Sequence, residues 1–218
     1  APLIVRLLSR VSHVYVRLFR KSRMWPTVFE ITKKSRLFQI RLQHLFPQLV
    51  SSSRYRSCED SIELTAERLA NDVIRYLLKE DIYLISQNPV SRSMRHNVYQ
   101  MLNKHSILFA SMVNRLNVMP DTAYEAFMGV ADELFLHGGV TWARIICLYA
   151  FTGRLALWAR DRRMHALKTK LPLYVSRFIG EKVADFIKVY GGWVSVVFLK
   201  MKYLYVEVVF WMHRSLLH

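Results

Sequence analysis

Residues Glu133 to Trp158 read ELFLHGGVTWARIICLYAFTGRLALW. A polar, amphipathic helix runs into Gly138-Gly139, where a helix C-cap wants positive φ and no Cβ. Thr141 is a fitting N-cap for the next segment. From Trp142 to Trp158 only Arg144, Thr152 and Arg154 interrupt an apolar segment. A helix that is hydrophobic all round belongs in the middle of something. In a chain of 218 residues that is a central core helix wrapped by others, or a membrane hairpin. Arg144 falls one turn into this helix, and a guanidinium so near a core needs an anionic partner from inside the chain or outside it.

Composition bounds the rest. The length suffices for one domain with a substantial core plus extensions. Hydrophobic residues make up 52% and the formal net charge is +16. Residues 1–57 hold 12 Lys/Arg against a single acid, Glu30, whereas residues 58–218 hold 20 against 15. Most of the basicity is therefore N-terminal, and a nucleic-acid-binding helical protein ranks last among the readings because it would need that charge on the folded surface. The arm, residues 1–57, compositionally resembles a mitochondrial presequence. A disordered basic arm or an artefactual extension of the reading frame would look the same. Cys58 in a polar linker and Cys147 in the apolar helix are not expected to pair, which fits a reducing compartment.

Beyond the linker Ser51–Cys58, Asp60 and Glu63 have the spacing of an N-terminal capping box. Apolar residues recur at helical intervals from there to about Ile85. Pro89 breaks the chain, and a second helix is expected from Val90 to Leu116. Thr122 with Glu125 opens a third, reaching Leu136. The apolar helix spans Thr141 to about Arg160. Another helix spans roughly Arg162 to Ile179, with Pro172 expected to kink or split it. Gly180 marks its end, Glu181 to Val189 forms a short helix, and Gly191-Gly192-Trp193 forms a corner. Strand signals are few, so the class is all-α. In the apolar tail, residues 200–218, Lys200, Lys202 and Glu207 leave no clean membrane span. An amphipathic surface helix, a groove-filling helix or completion of the core is expected instead.

No phosphate loop, nucleophile elbow or metal-spaced His/Cys pair is present. Hence no catalytic residues, no metal ligands and no cofactors are assigned, and an enzyme is not expected.

ELFLHGGVTWARIICLYAF resembles the first homology motif of the Bcl-2 family of apoptosis regulators. VADFIKVYGGW at 183–193 resembles the second motif, and LNVMPDTAYEAFMGVADELF at 116–135 is similar to the segment between the family's third and fourth helices. TAERLANDVIRYLL at 65–78 resembles the weaker fourth motif. The similarity covers residues 60–199, and the separation of Trp142 from Trp193 also fits.

The resemblance implies a Bcl-2-like bundle of about eight helices, spanning residues 58–199, around a central hydrophobic helix. It also implies a surface groove that takes an amphipathic death-ligand helix. Carried over by position, that groove includes Phe109, Met112, Val130, Leu134, Thr141, Arg144 and Phe151, with Arg144 pairing a ligand aspartate. Gly138, Gly139, Trp142, Gly191, Gly192 and Trp193 carry the structural motifs. The implied partners are amphipathic helices of pro-apoptotic family members, with homo- or heterodimers and peripheral membrane contact beside them. The implied location is the cytoplasm and the mitochondrial outer membrane.

The chain also departs from the family pattern. One glycine of Gly138-Gly139 is extra, Thr141 replaces the usual Asn, Ala143 the usual Gly, and Phe186 the first Trp of the second motif. Pro172 is foreign to the sixth helix. In the third motif Val90, Met94 and Met101 keep the apolar spacing, but Val98 stands at the small position and Tyr99 at the essential Asp. Such a helix should serve as a groove wall rather than as a ligand, which favours a pro-survival regulator. The alternative is an effector that permeabilises the outer membrane, since GRLALW and GGWVSV are similar to Bak and TWARIICLYA to Bok.

Overall fold

In the computed structural model the described residues are 62–80, 82–116, 118–136 and 139–199. The basic arm, the Asp60 cap, Cys58, Gly138 and the tail from residue 200 lie outside them. All regular structure among the described residues is helical. The α-helices are α1 (Ile62–Leu78), α2 (Pro89–Lys104), α3 (Ser106–Leu116), α4 (Ala123–Leu136), α5 (Trp142–Asp161), α6 (His165–Phe178) and α7 (Ala184–Val189). Short 3-10 turns cover Ile82–Leu84 and Trp193–Phe198, and a π-helical turn, Ile179–Val183, joins α6 to α7.

The apolar helix is the centre. Fourteen of the 20 residues of α5 are buried, so it is the core helix and not a membrane hairpin; no helix among the described residues is long and apolar enough to cross a membrane. Helices α1, α2, α3, α4 and α6 all pack on it. Gly153 lets α1 come close, because a Cβ there would run into the Leu77 side chain. Thr152, buried on α5, donates its hydroxyl to the Leu148 carbonyl at 2.7 Å. That bond removes most of the cost of placing a hydroxyl in a core.

Helix α1 is fastened from three directions. The Tyr149 hydroxyl of α5 donates to the Ala66 carbonyl at 3.1 Å, the Ser176 hydroxyl of α6 to the Glu63 carbonyl at 2.9 Å, and the Trp193 indole to the Ile62 carbonyl at 3.3 Å. All three donors are buried. Between α1 and α2 lies a buried ion pair, Asp72 with Arg95. Asp72 also accepts from the Ser86 amide at 2.7 Å, and Arg95 donates to the Ser86 carbonyl at 2.7 Å. One network thus ties two helices and the loop between them.

Three sequence expectations change. The helix expected from Val90 to Leu116 is two helices, broken at His105. His105 leaves helical geometry (φ −120°, ψ 31°), and apolar periodicity does not record a bend that keeps both halves' apolar faces on the core. Pro172 does not split α6. Leu171, Tyr174, Val175 and Phe178 around it are all buried, and that packing offsets the hydrogen bond the proline removes. Gly180 does not end the helix but sits within the π-helical turn.

Candidate functional site

The segment between α4 and α5 positions the arginine. Gly139 turns the chain at φ +76°, a region where an L side chain is strained. Thr141 is extended and caps α5, its hydroxyl accepting from the Arg144 amide at 3.3 Å. Arg144 then reaches back, its Nη1 donating to the Gly139 carbonyl at 2.8 Å. The guanidinium is held half-buried at the N-terminal end of α5.

The two tryptophan motifs meet in space. Trp142 packs edge-on against Phe186 (centroids 5.6 Å apart) and Trp193 (6.1 Å), and Tyr149 packs edge-on against Trp193 at 6.2 Å. Phe186 in turn stacks on Tyr190 at 4.4 Å. Edge-on contacts set the electropositive rim of one ring against the face of the next. Gly191 (φ +88°) and Gly192 (φ +69°) make the corner that swings Trp193 into this cluster. Phe186, at the position where the resemblance expects the second motif's first Trp, thus links Trp142 to Tyr190.

The expected groove residues separate by depth. Phe109, Leu134 and Phe151 are wholly buried, and Phe127 stacks on Phe151 at 5.7 Å. Met112 is just buried, and Val130 is half-buried against the core. Helices α3 and α4 both lean on α5 but have little packing between themselves. The deep residues are thus a packed floor, and Met112 and Val130 lie nearer the surface above it. Arg144 and Thr141 stand at the start of α5.

The third-motif face of α2 is turned inward. Met94, Val98 and Met101 are fully buried, while Tyr99 is exposed and packs edge-on against Tyr76 at 6.2 Å. The Asp72–Arg95 pair was not foreseen from sequence. Its signal was present: Asp72 sits among the apolar residues of α1, and Arg95 directly follows the buried Met94. Among the described residues no cluster of His, Cys, Asp or Glu could hold a metal ion. Burial pushes the Cys147 thiol up, above the range of a reactive cysteine.

The described residues thus form an all-α bundle with a buried central helix and a capped arginine at its start. Residues 94–193 match the family described as "Apoptosis regulator proteins, Bcl-2 family". Bcl-2-like protein 1 of Gallus gallus is 27% identical over 110 residues, covering 50% of this chain and 48% of that protein. The Homo sapiens protein of the same name is equally similar, covering 47% of its length. Apoptosis regulator Bcl-2 of Gallus gallus is 31% identical over 85 residues, 39% of this chain and 36% of that one. The chain thus spans about half the length or less of these curated relatives. The crystal structure of Trichoplax adhaerens trBcl-2L2, bound to trBak BH3, superposes with a TM-score of 0.56 at 24% identity, covering 62% of this chain and 95% of that one. These likenesses support a member of the Bcl-2 family.

Proposed function

We propose that this domain regulates apoptosis by binding, not by catalysis, and that it captures the amphipathic helix of a pro-apoptotic family member between α3 and α4. The observation that carries the reading is the arrangement around Arg144. Its side chain is anchored at the start of the core helix by the Gly139 carbonyl. Apolar side chains at graded depth, from Phe151 to Val130, lie along α3, α4 and α5. A ligand helix with apolar residues at helical spacing and one aspartate would match both features. The similar Trichoplax protein has a BH3 partner bound, which supports the same mode here. Phe109, Leu134 and Phe151 are buried, so a ligand helix reaches them only if side chains above them move.

The direction proposed is pro-survival, acting from the cytoplasm at the mitochondrial outer membrane. The support is α2: its Met94, Val98 and Met101 are buried, and exposed Tyr99 stands where an acid would be needed. Titration with labelled pro-apoptotic helices tests the binding, and no binding at micromolar concentration would remove the groove reading. Dye release from liposomes by the protein with an activator helix would replace the pro-survival reading with the effector one.

A further inference from the structure

Between α1 and α2 the chain reads KEDIYLIS, residues 79–86. Lys79 stands at φ +57° and turns the chain out of α1, and Ile82–Leu84 makes one 3-10 turn of three residues. Tyr83, in the middle of that turn, is 92% exposed, and no other described tyrosine exceeds 43%. The others are also held in place. Tyr149 and Tyr174 are buried, and Tyr76 and Tyr99 lie within α1 and α2 and pack edge-on against each other. Tyr124 packs on Tyr174 at 5.1 Å and Tyr190 on Phe186 at 4.4 Å.

The turn is lightly tied to the bundle. The Arg75 guanidinium donates to the Leu84 carbonyl at 3.2 Å, and Glu80 meets Lys168 of α6 at 2.5 Å. The side chains involved are partly exposed, and ion pairs of that kind add at most about 1 kcal/mol. The firm anchor comes later, where the Ser86 amide donates to the buried Asp72 at 2.7 Å. Opening the turn breaks the weak contacts and leaves that anchor in place. Two cations already touch this segment: Arg75 at the Leu84 carbonyl and Arg92 at the Gln87 carbonyl, 3.3 Å away. A new negative charge on the turn would find them nearby.

We propose that Tyr83 is a phosphorylation site for a tyrosine kinase that selects acidic residues ahead of its target. A kinase must bring the acceptor hydroxyl in line with the γ-phosphorus of ATP. That needs an exposed side chain on backbone that can leave its turn, and a tyrosine inside a packed helix meets neither condition. Glu80 and Asp81 precede Tyr83 by three and two residues. Charge patterns of this sort are what kinases use to choose substrates. In the transfer the Tyr83 Oη–H bond breaks and its proton passes to the kinase's catalytic aspartate. The Oη–P bond forms as the bond from the γ-phosphorus to the β,γ-bridging oxygen breaks, and ADP leaves. The product carries about −1.5 to −2 charge at neutral pH, placed three residues before the Ser86 anchor. The site lies between α1 and α2 and does not depend on the proposed helix groove.

The full chain, natively folded, is incubated with MgATP and the catalytic domain of an acid-selecting tyrosine kinase. Phosphopeptide mass spectrometry then follows each tyrosine with time. Tyr83 should be modified at least about ten-fold faster than Tyr76 or Tyr99, since ten-fold is what roughly 1.4 kcal/mol of local helix opening imposes. Tyr83→Phe should abolish that phosphopeptide with the circular dichroism unchanged, because the side chain is exposed. Glu80→Gln/Asp81→Asn should slow the modification of Tyr83. Glu80 also pairs with Lys168, so Lys168→Gln serves as the control: it breaks the same bridge but keeps the acids, and should not slow the reaction. No phosphate on Tyr83, or a rate no faster than at the helical tyrosines, overturns the proposal. So does a rate that the loss of both acids leaves unchanged, or one that Lys168→Gln lowers as much.

Discussion

Asp72 of α1 and Arg95 of α2 form an ion pair in which both side chains are less than a tenth exposed. Ser86 completes it, its amide donating to the acid and its carbonyl accepting from the base. Burying two charges is costly, and their attraction offsets that cost only while both are present and hydrogen-bonded. Asp72→Asn or Arg95→Ala should therefore destabilise the domain by about 3–5 kcal/mol. Replacing both with apolar residues of similar volume should cost far less than either single change. Urea unfolding of the four proteins reads this directly; a double variant that loses the sum of the two single losses would show that the pair is not coupled.

The hold on α1 gives a smaller, separable effect. Tyr149→Phe deletes the donor to the Ala66 carbonyl and leaves the ring against Trp193. The expected loss is about 0.5–1.5 kcal/mol, that of one neutral hydrogen bond. Amide exchange should accelerate in α1 more than in α4. Burial also holds the Tyr149 hydroxyl well above the ordinary tyrosine range. In an ultraviolet titration one tyrosine should stay protonated until the fold opens at alkaline pH.

His105 sits at the break between α2 and α3, and burial, then the neighbouring Lys104, push its pKa below the usual 6.5. The folded state thus disfavours the imidazolium, and the unfolded chain takes up the proton first. Its contribution to stability is complete above the unfolded value of about 6.5 and is lost as pH falls below that, toward the depressed folded value. Denaturant midpoints should drop between about pH 7 and pH 5, and His105→Gln should flatten that part of the profile. An unaltered slope in the variant would assign the pH dependence to other groups.

Much of this fold could be read from the chain, and the reasons differ by element. The central helix was legible because it is apolar on every side, which only full burial explains. Thr141 was legible as a cap because cap chemistry is local. Tyr149 and Ser176 were not, because their acceptors are 83 and 113 residues away in sequence, and no local pattern encodes such a partner. Pro172 does not split α6, because packing offsets the lost bond, and the break at His105 is hidden because apolar periodicity runs through it. At the candidate site, residue type and order identified Arg144 and the two tryptophans. The depth of Phe109, Leu134 and Phe151 is set by tertiary packing, which spacing along the chain does not fix.

Thr141 and Arg144 occupy one turn yet should answer to different measurements. Thr141→Ala removes the hydroxyl that accepts from the Arg144 amide and should cost about 1 kcal/mol of folding stability. Helix-ligand affinity should fall only as far as the first turn of α5 frays. Arg144→Ala should lower affinity for a pro-apoptotic helix by ~1–3 kcal/mol, the scale of a charged hydrogen bond. Replacing the ligand's aspartate by alanine should produce a similar loss in the wild type and little further loss in Arg144→Ala, since coupled partners are not additive. Arg144→Lys should recover only part of the affinity, because an ammonium lacks the planar fork that grips a carboxylate with two parallel bonds. Calorimetric titration of the four protein and ligand combinations measures the coupling. Additive losses would mean that Arg144 serves the Gly139 turn and that the ligand's acid, if bound at all, is met elsewhere.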